Sequence, residues 1–134
     1  MATLMCMGVE WSSADAWVFA AISHDRLTEP QSLVRVIAIA DGINHAILEE
    51  AEFTRAVGRL VSVGLIGADP TSDQYWPTEA GMTLRRRWRH GLFGWIDTIP
   101  RGLRALGEPG DSGYTLPEGV FQRAVDQYLA MMTP

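Results

Sequence analysis

Two glycine-punctuated runs between residues 49 and 81 constrain this chain more than any other stretch. Phe53, Val57, Leu60 and Val61 recur at the three-to-four spacing of one helical face, which predicts a helix over residues 49–62, and Gly64 supplies its C-terminal stop. Leu65, Ile66 and Gly67 then run into a dense cluster of turn formers at residues 68–73, and Gln74, Tyr75 and Trp76 have the aromatic bias of a returning strand. Pro77 ends that strand, because it has no amide hydrogen to give to a continuing ladder. Thr78 caps a further helix through Glu79, Ala80 and Gly81. A helix, a reversing strand pair and a supporting helix follow one another without a break.

Upstream, the serine cap at Ser12 with Asp15 in the first turn opens a helix to about Ser23, striped by Trp17, Val18, Ala21 and Ile22. Thr28, Glu29, Pro30 and Gln31 have capping-box spacing, and Leu33, Val34, Ile37 and Ala40 line a second helix that Asp41 and Gly42 end. Residues 43–48 are expected to pack as a turn beneath the third helix. Downstream, Leu84 and Trp88 continue the post-hairpin helix to His90, and Pro100 is expected to start a segment through Leu106. Residues 107–113 are linker-like, and Thr115 to Glu118 cap a last helix striped by Val120, Phe121, Ala124, Val125 and Tyr128 to about Met132.

With 134 residues there is room for one domain with an appendage and a real core. The lone Cys6 excludes an internal disulfide and a cysteine zinc site and suits a reducing cytoplasm. Residues 1–9 are apolar but short and carry no basic leader, and no stretch reaches the roughly 20 uncharged apolar residues of a membrane span. The expectation is a cytoplasmic protein with no membrane partner. The net charge of -5 is unevenly laid out: residues 1–84 hold four arginines against eleven acids, and residues 85–104 hold six arginines against Asp97 alone.

Residues 53–66 followed by 75–81 resemble the winged helix-turn-helix family of bacterial regulators, broadly its MarR-like or PadR-like members. The likeness lies in a reading helix ending in glycine and a Leu-Ile strand, then a wing closing on an aromatic, a threonine and a glycine. Pro77 stands where that family usually has leucine, which shortens the second wing strand. The resemblance implies a mainly α fold with a small antiparallel β-hairpin. It divides the chain into a tail at residues 1–10, a winged helix domain at 11–90 and a C-terminal helical extension at 91–134.

It also implies a DNA-binding transcriptional regulator acting as a homodimer, with residues 49–62 in successive major grooves of double-stranded DNA. On that helix Glu52, Arg55, Arg59 and Ser62 project as one stripe toward base edges or phosphates, and Gln74 is the contact from the wing. The same stripe is also what a solvated helix face looks like, and the wing tip offers Asp69 and Asp73 but no basic residue. Arg85, Arg86, Arg87 and Arg89 form a patch for phosphates or for an acidic protein partner, or pair within the monomer. Trp88, Leu92, Phe93 and Trp95, with Phe121 and Tyr128 of the last helix, are either core or a dimer seam. His24, His45 and His90 lie on separate elements without metal-ligand spacing or a nucleophile motif. Neither a catalytic centre nor a cofactor is expected, and the alternative to a regulator is an interaction module that does not bind DNA.

Overall fold

The computed structural model describes residues 10–24, 29–87 and 94–133, with side chains from residue 98 onward in the last of these segments. Its elements are α1 (Ser13–Ile22), α2 (Leu33–Asn44), α3 (Glu50–Ser62), β1 (Ile66–Asp69), β2 (Gln74–Pro77), α4 (Glu79–Arg86), α5 (Gly94–Ala105) and α6 (Val120–Met132). The mainly helical chain with one small antiparallel hairpin is the fold expected from the sequence.

Helix α1 is the centre of the packing. Ser12 and Asp15 close a capping box, with Ser12 N donating to Asp15 Oδ2 at 2.8 Å and Asp15 N to Ser12 Oγ at 3.3 Å. Every residue from Asp15 to Ile22 is buried, not only the expected stripe. Such burial on all sides follows because α2, α3 and α5 all pack on this helix. Helix α3 carries its apolar face inward through Phe53, Ala56, Val57 and Leu60. Its end is a Schellman closure: Gly64 (φ 77) takes the left-handed conformation, Gly64 N donates to Val61 O at 3.0 Å and Leu65 N to Leu60 O at 3.0 Å.

The hairpin pairs Ile66 with Pro77 and Asp69 with Gln74, so Pro77 is the last residue of the strand it was expected to end. The hairpin also carries an addition that local pattern does not show. Gln31 bridges Tyr75 through two backbone bonds, Gln31 N to Tyr75 O at 2.7 Å and Tyr75 N to Gln31 O at 2.9 Å, giving β2 a second neighbour. The tight turn is held by Asp69, which accepts from Thr71 N, Ser72 N and Ser72 Oγ. These bonds, the Ser72 hydroxyl foremost, hold its carboxyl below the usual aspartate range.

Four boundaries differ from expectation. Helix α2 is capped by Ser32, whose Oγ accepts from Arg35 N at 3.2 Å, because Gln31 is engaged in the bridge; Thr28 lies outside the described residues. It runs past Gly42 to Asn44 and stops where His45 turns left-handed (φ 55), its N–H reaching Asp41 O. Helix α5 begins at Gly94 and continues through Pro100, where the burial of Ile99 and Leu103 outweighs one missing amide bond. Helix α6 starts at Val120 behind Gly119 (φ 83), so Thr115 to Glu118 lie outside it. Ile99, Leu103, Phe121, Ala124, Val125 and Tyr128 join the same core cluster as α1 to α4, so the C-terminal extension is part of the body of the fold.

Candidate functional site

The stripe expected along α3 separates into residues facing different neighbours. Arg59 turns toward α1, donating from Nη1 to Asp15 Oδ2 at 2.9 Å and to Glu10 O at 3.1 Å. Its side chain is 15% exposed and that of Asp15 1%, so the expected outward projection of Arg59 is corrected: the buried carboxylate draws it in. Glu52 Oε1 accepts from Glu49 N at 3.0 Å and so holds the start of its own helix. The Glu52 residue also borders a cleft of about 330 Å³ with Ser13, Trp17, Asn44 and Pro100. Ser62 is exposed, but its hydroxyl donates to Arg59 O at 2.6 Å. Arg55 stays exposed on the open side of α3, and Gln74 is exposed on the hairpin.

The open side is itself partly covered. Residues 107–119, which take in the expected linker at 107–113 and the expected cap at 115–118, form a strap that crosses α3 on its way to α6. Ser112 N donates to Gly58 O at 3.0 Å. A Cβ at Gly58 would lie 2.5 Å from Asp111 Oδ1, and one at Gly110 would lie 3.1 Å from Ser62 Oγ. The strap is pinned at its start and at its middle. Trp11 Nε1 donates to Gly107 O at 2.8 Å, and the Tyr114 hydroxyl bonds that of Tyr75. Around that pair the rings of Phe53, Tyr75 and Tyr114 meet edge to face, with Phe53 and Tyr75 centroids 5.3 Å apart, and Phe121 tilts against Phe53. Burial raises both phenols above the ordinary tyrosine value, and the nearby charges of Asp73 and Asp69 add to it. The sequence held one sign of this strap, a glycine in the interior of a helix at position 58, which marks close approach of other chain.

The expected arginine patch also divides. Arg85 is buried and donates from Nε to Ser23 O at 3.1 Å and from Nη2 to His24 O at 2.9 Å, so it caps the C-terminus of α1 instead of facing a partner. Arg86 and Arg87 are exposed, and Arg89 lies outside the described residues. Of the expected dimer seam, Trp88, Leu92 and Phe93 and the Trp95 side chain lie outside the described residues. Phe121 and Tyr128 are buried within the chain itself, the latter bonding Asp41 Oδ2 through its hydroxyl at 2.6 Å, which is the core placement that the sequence left open beside a seam.

The hairpin carboxylates are likewise engaged, since Asp73 Oδ1 accepts from Leu33 N at 2.9 Å and so supports the start of α2. Among the described residues no three of His, Cys, Asp and Glu converge as metal ligands, and no helix is long and apolar enough to cross a membrane. Compared with known proteins, the chain matches no family model, no curated protein and no solved structure.

Proposed function

We propose that this chain is a winged-helix protein-interaction module and not a reader of DNA sequence. The element order of three helices, a hairpin braced by the Gln31 bridge and a fourth helix is what supports the winged-helix part of the reading. The observation that carries the rest is the strap on the open side of α3. In a helix-turn-helix dock that side enters the major groove. Backbone lying over Gly58 and Ser62 takes the space that a base-pair edge would need.

Electrostatics agree. Nonspecific affinity for a duplex comes from phosphate neutralisation by cationic side chains. With Arg59 paired to Asp15, Arg55 is the exposed cation of α3, beside exposed Glu49 and Glu50 at the helix start and within a net charge of -5.

The test is binding of labelled random-sequence duplex DNA across a salt series, with oligomeric state read by light scattering in the same samples. The natural chain and Arg55→Ala are compared. Arg55 is chosen because removing Arg59 would leave Asp15 unpaired. The expected result is no salt-dependent binding by either protein. A dimer whose affinity falls steeply with salt and drops in Arg55→Ala would overturn the reading in favour of a DNA-binding regulator.

A further inference from the structure

We infer that the cleft beside the start of α1 is a binding site for a small primary ammonium ion with an aliphatic body. The inference goes beyond the interaction-module reading and does not depend on it. The cleft holds about 330 Å³, at the small end of the roughly 300–1,000 Å³ that ligand cavities occupy. Its wall is built from separate helices: Ala16 and Trp17 of α1, Asn44 at the end of α2, Glu52 in the first turn of α3 and Pro100 of α5.

The polar part of that wall favours a cation. Glu52 gives Oε1 to Glu49 N at 3.0 Å and keeps Oε2 without a partner among the described residues, none of whose arginines pairs with it. Exposed Glu49 and Glu50 adjoin it at the start of the same helix. Asn44 is the last residue of α2, so the negative end of that helix reaches the cleft, and the Asn44 side-chain amide carries no bond among the described residues. No cationic side chain among the described residues lines the cleft. With no convergent set of metal ligands there, the fitting cation is organic.

The apolar part sets the rest of the ligand. Trp17 is 5% exposed and gives its Nε1–H to Ala40 O at 2.8 Å, so its indole offers the cleft no donor and forms an apolar wall with Ala16 and Pro100. An ammonium brings three donors to a carboxylate and an amide oxygen, and an aliphatic body beside it loses nothing against such a wall. The first turn of α1 also opens here at Ser13 and Ala14 and would favour an anion, but Asp15 in that turn already supplies the opposite charge. A carboxylate of the same shape is therefore the sharpest comparator.

The probe is isopentylamine, protonated at neutral pH, titrated at low salt into the isotope-labelled full chain beside isopentanol and isovalerate, which share its carbon skeleton. The resonances of the Trp17 indole N–H and the Asn44 side-chain amide are followed. Saturable binding of the amine with a Kd of about 1 mM or tighter is expected, with shifts at both groups. Glu52→Gln keeps an acceptor for Glu49 N while removing the charge, and should weaken the amine roughly tenfold; Asn44→Ala should weaken it a few-fold. Thermal melting of the same samples checks the fold, and Asn44→Ala, at an exposed helix end, decides the matter should Glu52→Gln unfold.

Absent saturation by the amine, or shifts scattered over the exposed acids, overturns the assignment. Equal binding of isopentanol shows a cleft with no use for charge and overturns it too, as does an affinity unchanged in both variants. Tighter binding of isovalerate gives the site to the N-terminus of α1 and overturns the cation. None of these outcomes bears on the strap over α3, which the duplex titration tests separately.

Discussion

Arg59 and Arg55 sit one helical turn apart, yet their substitution should have unlike consequences. Arg59→Ala leaves the carboxylate of Asp15 buried without its cation, and Asp15 Oδ1 already has no partner among the described residues. The expected loss is about 3 kcal/mol, read as a fall of roughly 10 °C in the melting midpoint. Arg55→Ala, at an exposed position, should change stability by no more than about 0.5 kcal/mol. Equal effects in the two variants would show that the Asp15 pair contributes nothing. Two helical glycines make a second contrast. A Cβ at Gly81 would stand 2.1 Å from Leu65 O, a backbone atom that also accepts from Thr78 N, so Gly81→Ala should destabilise by more than about 2 kcal/mol despite its better helix propensity. At Gly58 the obstacle is the Asp111 carboxylate, a side chain that can rotate away. Gly58→Ala should therefore be close to neutral in urea unfolding, its gain of roughly 1 kcal/mol in propensity offset by the lost Asp111 Oδ1 bond to Gly113 N. Its visible effect should be faster proteolytic cleavage within residues 107–119.

At the scale of elements, ties between distant segments set what holds together. Arg85 joins α4 to the end of α1, and Arg85→Met is expected to lower stability by about 2 kcal/mol in urea unfolding. The strap is tied to the hairpin by the Tyr75 and Tyr114 hydroxyls, and α6 to α2 by Tyr128 and Asp41. All three tyrosines of the chain are thus raised above a usual value of 10.0: the first two chiefly by burial, Tyr128 chiefly by its bond to Asp41. The unfolded chain releases these protons near pH 10 and the folded chain holds them longer. Their contribution is fully present below about pH 10 and drains away as pH rises beyond it. The expected measurement is a denaturation midpoint that is level up to about pH 10 and then falls, with phenolate absorbance appearing together with the loss of helical circular dichroism. A phenolate step near pH 10 in the intact fold would contradict this coupling.

These ties also explain what was legible beforehand. Helix α3, the hairpin turn and the cap of α4 are written in contiguous pattern, by apolar spacing, Gly64 and Thr78, and the structure bears them out within a residue or two. The role of Arg59 was not legible, because its partner Asp15 is 44 residues away. Nor was the strap, whose residues read as linker by composition and gain their position only from Gly58, Tyr75 and Trp11. Capping assignments failed where a competing bond took the residue, as with Gln31 in its bridge.

For the molecule as a whole, the enclosure of α1 has a consequence for how the protein is made. This helix leaves the ribosome well before α5, one of the three helices that cover it, which is synthesised only after the hairpin and α4. Until then Trp17, Phe19, Ile22 and their neighbours lack part of their cover, and a nascent chain in that state is a substrate for chaperones and for aggregation. A chain stalled before Gly94 should therefore stay sensitive to protease and associated with holding factors, and release to full length should end both together. The order of synthesis, more than the strength of any one bond, decides when this protein becomes safe from its own apolar centre.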